Sequence, residues 1–406
     1  MQNSNSSLNL TNVKEAAKIL EGVSKKTELM YSSIFSNECG NEIYLKPENL
    51  QITGAFKIRG AYNKISKLSE EEKKRGVIAS SAGNHAQGVA YAAQKLGIKA
   101  TIVMPKTTPL IKVAATKSYG ANVVLHGDYY DEAYARAKEL QEENNYVFVH
   151  PFDDLDVIAG QGTIGLEILE DLKDVDCIVV PVGGGGLISG IAAAAKAINP
   201  KVKIIGVEPE GAKAMKKSVE KNVVVSLDTV KTIAEGVAVK KPGDITFEII
   251  KNYVDEIVTV SDFDIMEAFL VVLEKQKLIA ETSGVLSLAA LKKINDKNKK
   301  IVCVISGGNI DVVTISSMIN RGLVSKGRLF CFTVDLPDKP GELLKISEIL
   351  ATLNANVIKL DHNQFKAFDR FMQVQLEVTL ETNGHEHINE IIGNLNEAGY
   401  SIVRVY

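Results

Sequence analysis

Apolar positions along the chain alternate between two spacings. Short unbroken apolar runs at residues 77–79, 100–104, 122–126, 146–149, 177–182, 204–207 and 301–305 have the length of strands buried on both faces. Between them, apolar or alanine positions recur every three or four residues over 84–96, 111–119, 130–144, 158–172, 187–198 and 263–275. That period predicts helices with one face turned inward. Further helices are predicted over 11–23 and 284–294, and a further strand over 42–46. Residues 210–260 are less regular, with strand-like runs only at 223–225 and 257–260. Strands alternating with helices in this way predict an α/β architecture with parallel sheets covered on both sides.

The pattern changes after Ser325-Lys326-Gly327. A strand is predicted over 329–334, then an Asp-Lys-Pro-Gly-Glu-Leu turn and a helix over 342–353. Strands over 357–360 and 371–379, a helix over 386–398 and a strand over 402–405 complete a βαββαβ order. This is the order of a ferredoxin-like module. Two domains are therefore expected, 1–320 and 327–406.

Charge and cysteine content narrow the partners. The 406 residues carry 47 basic and 50 acidic side chains, a formal net charge of -3. No basic stripe suggests nucleic acid, and no apolar run approaches the ~20 residues a bilayer requires. The first ten residues are polar and uncharged, unlike a secretory signal. Cys39, Cys177, Cys303 and Cys331 lie far apart without paired spacing, which suggests reduced, buried thiols. A cytoplasmic protein with neither a nucleic-acid nor a membrane partner is expected.

Three stretches carry candidate chemistry. Lys57 stands in Gln51-Ile52-Thr53-Gly54-Ala55-Phe56-Lys57-Ile58-Arg59-Gly60-Ala61, at the entrance of a helical run. A lysine there is usually a solvated cation, and Arg59, two residues on, is expected to face elsewhere. Gly183-Gly184-Gly185-Gly186-Leu187 joins a predicted strand to a predicted helix. Such a loop lets backbone N–H groups converge on a phosphate at the positive end of a helix dipole. It lacks the G-x-G-x-x-G spacing of a dinucleotide fold, although Glu208 stands about 20 residues on. The third stretch, Ser306-Gly307-Gly308-Asn309, follows the last apolar run of the first domain.

An early lysine, a glycine loop and Ser-Gly-Gly-Asn, in that order, resemble the fold type II pyridoxal-phosphate enzymes, which have two lobes around parallel twisted sheets. With Ser80-Ser81-Ala82-Gly83-Asn84-His85-Ala86-Gln87-Gly88 added, the chain resembles the threonine ammonia-lyases. The tail, with Pro340-Gly341-Glu342-Leu343 after its first strand, resembles a single ACT domain. The resemblance implies that Lys57 holds pyridoxal 5'-phosphate and moves the Cα proton of an amino-acid substrate. It implies cofactor contacts from Phe56, Asn84, the Gly183–Leu187 loop and Ser306, the last at the pyridine nitrogen. Ser81, Asn84 and His85 would receive the substrate carboxylate.

The implied reaction is elimination of water from threonine followed by hydrolytic release of ammonia, giving 2-oxobutanoate, with serine as a second substrate. The implied assembly is a homodimer or homotetramer with an amino-acid or nucleotide effector. A serine racemase is the rival within the fold, but Ala82 stands where those enzymes place a serine. A regulatory amino-acid sensor with an inert fold is the alternative outside enzymes. Two departures are noted. Thr27-Glu28-Leu29 replaces Thr-Pro-Leu, and Ala214 stands where cation-binding relatives place an acid six residues after Glu208, so no metal is expected.

Overall fold

The computed structural model describes residues 8–363 and 373–406. The first two residues of the strand predicted over 371–379 lie outside this set. The chain divides into two compact units, Met1–Asp311 and Val312–Tyr406.

The first unit contains two sheets. Its larger sheet has six strands in the order Met30–Tyr31, Glu42–Pro47, Lys300–Ile305, Cys177–Pro181, Lys203–Pro209 and Glu256–Val260. All neighbours run parallel except Met30–Tyr31, which is antiparallel to Glu42–Pro47. The smaller sheet is parallel, in the order Asn122–Leu125, Ala100–Met104, Val77–Ser80 and Val147–Phe148. The central strands are buried along their whole length, as their unbroken apolar runs require.

Helix Lys57–Ser66 packs between Asn84–Leu96 and Leu155–Asp171. Gly60 and Gly160 make that approach possible. A Cβ on Gly60 would stand 2.6 Å from the Val157 carbonyl oxygen, so no side chain fits between the two helices.

Three stretches differ from the sequence expectation. Residues 223–225 form no strand. The helix expected over 284–294 is instead a chain of single turns, Thr282–Val285, Leu286–Ala289 and Ala290–Lys293. An unanticipated helix, Val312–Ser325, follows the last strand and groups with the second unit.

In the second unit the order is strand Leu329–Pro337, helix Glu342–Thr352, strands Asn356–Asn363 and Gln373–Glu381, helix His385–Glu397, and strand Ile402–Arg404. The sheet is antiparallel, with Asn356–Asn363 and Ile402–Arg404 at its edges. Alternate residues Phe330, Phe332, Val334 and Leu336 meet Ile346, Leu350, Ile388 and Ile391 in one core. Period two on the strands and three to four on the helices build this core.

Candidate functional site

Lys57 is the first residue of its helix, so its position is set by the loop before it. That loop is joined to the loop after strand Lys300–Ile305. Phe56 N–H donates to the Ser306 carbonyl (3.2 Å), and Gly308 N–H donates to the Gly54 carbonyl (2.8 Å). The Asn309 amide donates to the Thr53 carbonyl (2.8 Å) and to Asn84 Oδ1 (2.8 Å). Three motifs far apart in sequence thus share one hydrogen-bonded floor. Lys57 Nζ donates to the Pro151 carbonyl (2.7 Å) and lies 5.1 Å from the centre of the Phe56 ring.

The glycine loop leaves strand Cys177–Pro181 and enters helix Gly186–Ile198. Gly185 has φ +97°, a left-handed conformation that aims successive N–H groups inward and that a side chain disfavours. The ring of Phe152 lies directly over Gly184, leaving no room there for a Cβ. The first N–H groups of helix Gly186–Ile198 have no acceptor within the helix and present positive partial charge.

Asn84 opens helix Asn84–Leu96. Its amide donates to Glu281 Oε1 (2.7 Å) while accepting from Asn309. Ser81 Oγ accepts from Gly83 N–H (3.2 Å), which shapes the entry to the same helix. His85 is buried, and its Nε2 donates to the Val149 carbonyl (2.9 Å). Burial, then the nearby Lys57 charge, push the His85 pKa down to about 3, so the ring is neutral. Its Nδ1 is buried with no hydrogen-bond partner among the described residues. Ser306 is buried beneath the Lys57 loop.

Glu281 was missed by the sequence reading. It sits in an irregular stretch before the turn Thr282–Val285, with no motif to mark it. Only its chain of contacts to Asn84 reveals it.

Arg59 turns into a buried cluster. Its guanidinium donates to both oxygens of Glu48 (2.8 and 2.8 Å) and both oxygens of Glu167 (2.6 and 3.0 Å). Lys46 also pairs with Glu167, and Thr27 Oγ1 donates to Glu48 (2.6 Å). The four charges cancel, and the cluster ties strand Glu42–Pro47 and helix Leu155–Asp171 to the Lys57 helix.

Burial lowers the Lys57 pKa from 10.5 to about 8, with Glu281 opposing the shift. Near pH 7 the amine is then neutral in roughly one molecule in ten, about 300 times the fraction of an ordinary lysine. The apoprotein will therefore react with an aldehyde about tenfold faster for each pH step up to about 8, then level off. Stopped-flow absorbance of imine formation checks this; a rise continuing to about pH 10 would contradict it.

The expected absence of a metal concerned Glu208. Its two carboxylate oxygens accept from the backbone N–H of Met215 (2.9 Å) and Lys216 (2.8 Å). Among the described residues no group of three or more His, Cys, Asp or Glu could hold a metal ion. Among them, too, no helix is long and apolar enough to cross a membrane.

A family profile described as pyridoxal-phosphate dependent enzyme matches residues 20–307. The chain belongs to this family. An L-threonine ammonia-lyase of Thermotoga maritima is 52% identical over 396 residues, which span 97% of this chain and 99% of that protein. A threonine deaminase of Solanum lycopersicum has a similar structure, with a TM-score of 0.74 and 42% identity over 77% of this chain and 86% of its own. A maize serine racemase also gives a TM-score of 0.74, at 36% identity over 78% of this chain and 98% of its own.

The residues present fit the family's cofactor. The left-handed Gly185 and the N-terminus of helix Gly186–Ile198 suit a phosphate. Lys57, with its lowered pKa, suits a carbonyl carbon.

Proposed function

We propose that this protein is a pyridoxal-phosphate-dependent lyase that converts L-threonine to 2-oxobutanoate and ammonia and accepts L-serine, giving pyruvate. The observation that carries the reading is a lysine of lowered pKa, held on the same floor as Asn84 and Ser306. The near full-length match to a threonine ammonia-lyase supports the substrate class.

When bound, pyridoxal phosphate supplies an electron sink for the bond broken at the substrate Cα. The chain supplies position and proton transfer. The N–H groups of Gly183–Leu187 would hold the phosphate, and Phe56 would pack beside the ring. Ser306 would offer a hydroxyl to the pyridine nitrogen, and Asn84 would hold the ring hydroxyl. Ser81, Asn84 and His85, at one helix N-terminus, receive the substrate carboxylate. Neutral Lys57 takes the Cα proton, the β-hydroxyl departs with a proton as water, and water then hydrolyses the released enamine to the keto acid and ammonia. Ala82 has no proton to exchange, which favours elimination over racemisation. Steady-state keto-acid formation from threonine and from serine tests the reading; no keto acid from either refutes it.

The second unit we assign as a ferredoxin-like ACT module that regulates the first, in a cytoplasmic homodimer or homotetramer. Its βαββαβ order supports this, and so does the family profile ending at residue 307. Coupling of this kind requires an effector to bind two states of the enzyme unequally. Truncation after Asp311 is expected to leave deamination within about threefold of the intact enzyme and to abolish any response to isoleucine, valine or AMP. Initial rates with each effector check it; an unchanged response in the truncated protein contradicts it.

A further inference from the structure

The hydrogen bonds across the floor of the cleft run in one direction. The Thr53 carbonyl can only accept, so Asn309 must present its amide nitrogen there (2.8 Å). The same nitrogen donates to Asn84 Oδ1 (2.8 Å), which leaves Asn84 Nδ2 as a donor in need of an acceptor. Glu281 Oε1 is that acceptor, at 2.7 Å. Ser283 Oγ donates to the same oxygen (2.8 Å), and Glu281 N–H donates to the Gly307 carbonyl (3.0 Å).

One carboxylate oxygen, Oε1, is therefore held by two donors, and the Glu281 backbone is anchored to Gly307. That oxygen is also closely packed: a Cβ on Gly307 would stand 2.7 Å from Oε1, and one on Gly236 would stand 3.2 Å from it. Glycines at both places leave room for the Glu281 carboxylate and its donors Asn84 and Ser283. Burial pushes the Glu281 carboxyl up, while the hydrogen bonds from Ser283 and Asn84 and then the Lys112 charge pull it down and Glu235 pushes it up. Ionised, it is the anionic neighbour of Lys57. His85 and His150 are the other titratable groups that sense the Lys57 charge.

We propose that Glu281 is a positioning residue for the reaction, locking the orientation of the Asn84 amide with one oxygen and setting the charge balance opposite Lys57. The proposal rests on Lys57 being the cofactor lysine. A purely structural Glu281 would matter only as a hydrogen-bond acceptor, and glutamine could replace it. A positioning Glu281 acts by two separable routes. Glutamine keeps the acceptor and removes the charge, while alanine removes both.

The experiment compares wild type, Glu281→Gln and Glu281→Ala as holoenzymes, and after removal and re-addition of pyridoxal phosphate. Three quantities are read: cofactor dissociation constant, pH midpoint of cofactor loading, and kcat and KM for threonine. Glu281→Ala is expected to weaken cofactor binding about tenfold, because the Asn84 amide nitrogen loses its acceptor and the side chain is held through Asn309 alone. Glu281→Gln is expected to hold the cofactor within about threefold of wild type. Both variants are expected to load with a midpoint below that of wild type. Losing a nearby anion disfavours the charged lysine, so the neutral amine appears at lower pH.

A wild-type midpoint in Glu281→Gln overturns the charge role. Wild-type cofactor affinity in Glu281→Ala overturns the Asn84 role. If Glu281→Ala does not fold, the midpoint in Glu281→Gln decides alone. A different outcome, with Lys57→Ala loading the cofactor as wild type does, refutes the cofactor-lysine assignment itself.

Discussion

Lys57→Ala will lose threonine deamination by at least about a hundredfold, because one side chain supplies both the cofactor anchor and the proton acceptor. The purified variant will also lose the visible absorbance of lysine-bound cofactor. Its fold should persist. Lys57 makes one hydrogen bond, to the Pro151 carbonyl, and takes no part in the ion pairs that hold its helix. Circular dichroism and thermal unfolding separate loss of chemistry from loss of structure. Turnover above about a hundredth of wild type in a folded variant would contradict the assignment.

Arg59→Ala will act on stability first. It strands Glu48 and Glu167 in the interior beside a single remaining cation, Lys46. Breaking a buried charge set in this way costs about 3–5 kcal/mol, which in a unit of this size lowers Tm by roughly 10 °C. Removing charges in pairs should be gentler. The double variant Arg59→Met with Glu48→Gln leaves Lys46 paired with Glu167, and should recover more than half of the loss.

The pH dependence follows from Glu48. Burial pushes its carboxyl up, but the Arg59 charge and hydrogen bonds, then Lys46, outweigh burial and hold it below the usual range. A lowered folded pKa stabilises the fold above the ordinary carboxylate value and loses that stabilisation as the pH falls through the folded value. The gap between wild type and Arg59→Ala is therefore widest near neutral pH and narrows in acid. Urea unfolding at a series of pH values measures it; a gap independent of pH would mean the cluster is not ionised as described.

Much of the first unit was readable in the residues, for local reasons. Unbroken apolar runs mark strands buried on both faces, so Ala100–Met104 and helices Asn84–Leu96 and Tyr130–Asn144 emerged with the boundaries expected for them. Gly183–Gly186 and Ser306-Gly307-Gly308-Asn309 are contiguous in the chain, so their order could be recognised. What escaped depends on distant partners. Arg59 was expected only to face away from Lys57, because its partners Glu48 and Glu167 come from positions 11 and 108 residues away. Glu281 has no periodic context, and its role follows from Asn84, 197 residues earlier.

Two elements also run against local preference. The run Val312-Val313-Thr314-Ile315 is rich in β-branched residues, which weakens any helical signal, yet it begins the helix Val312–Ser325. The stretch at 284–294 has helical spacing, but Gly284 is pressed against the Gly307 carbonyl and the helix breaks into turns.

The place of strand Lys300–Ile305 bears on how the protein is made. It is the last strand of the first unit to leave the ribosome, yet it lies between Glu42–Pro47 and Cys177–Pro181 in the middle of the larger sheet. A nascent chain halted before it holds two unsatisfied strand edges and half of a cleft floor. Ser306 and Asn309 follow it directly, so no intermediate in synthesis has a complete cofactor site. Late central insertion of this kind makes folding slow and exposes apolar edges to neighbouring chains. Supply of pyridoxal phosphate should therefore govern how much finished enzyme is retained, without altering the early course of its folding on the ribosome.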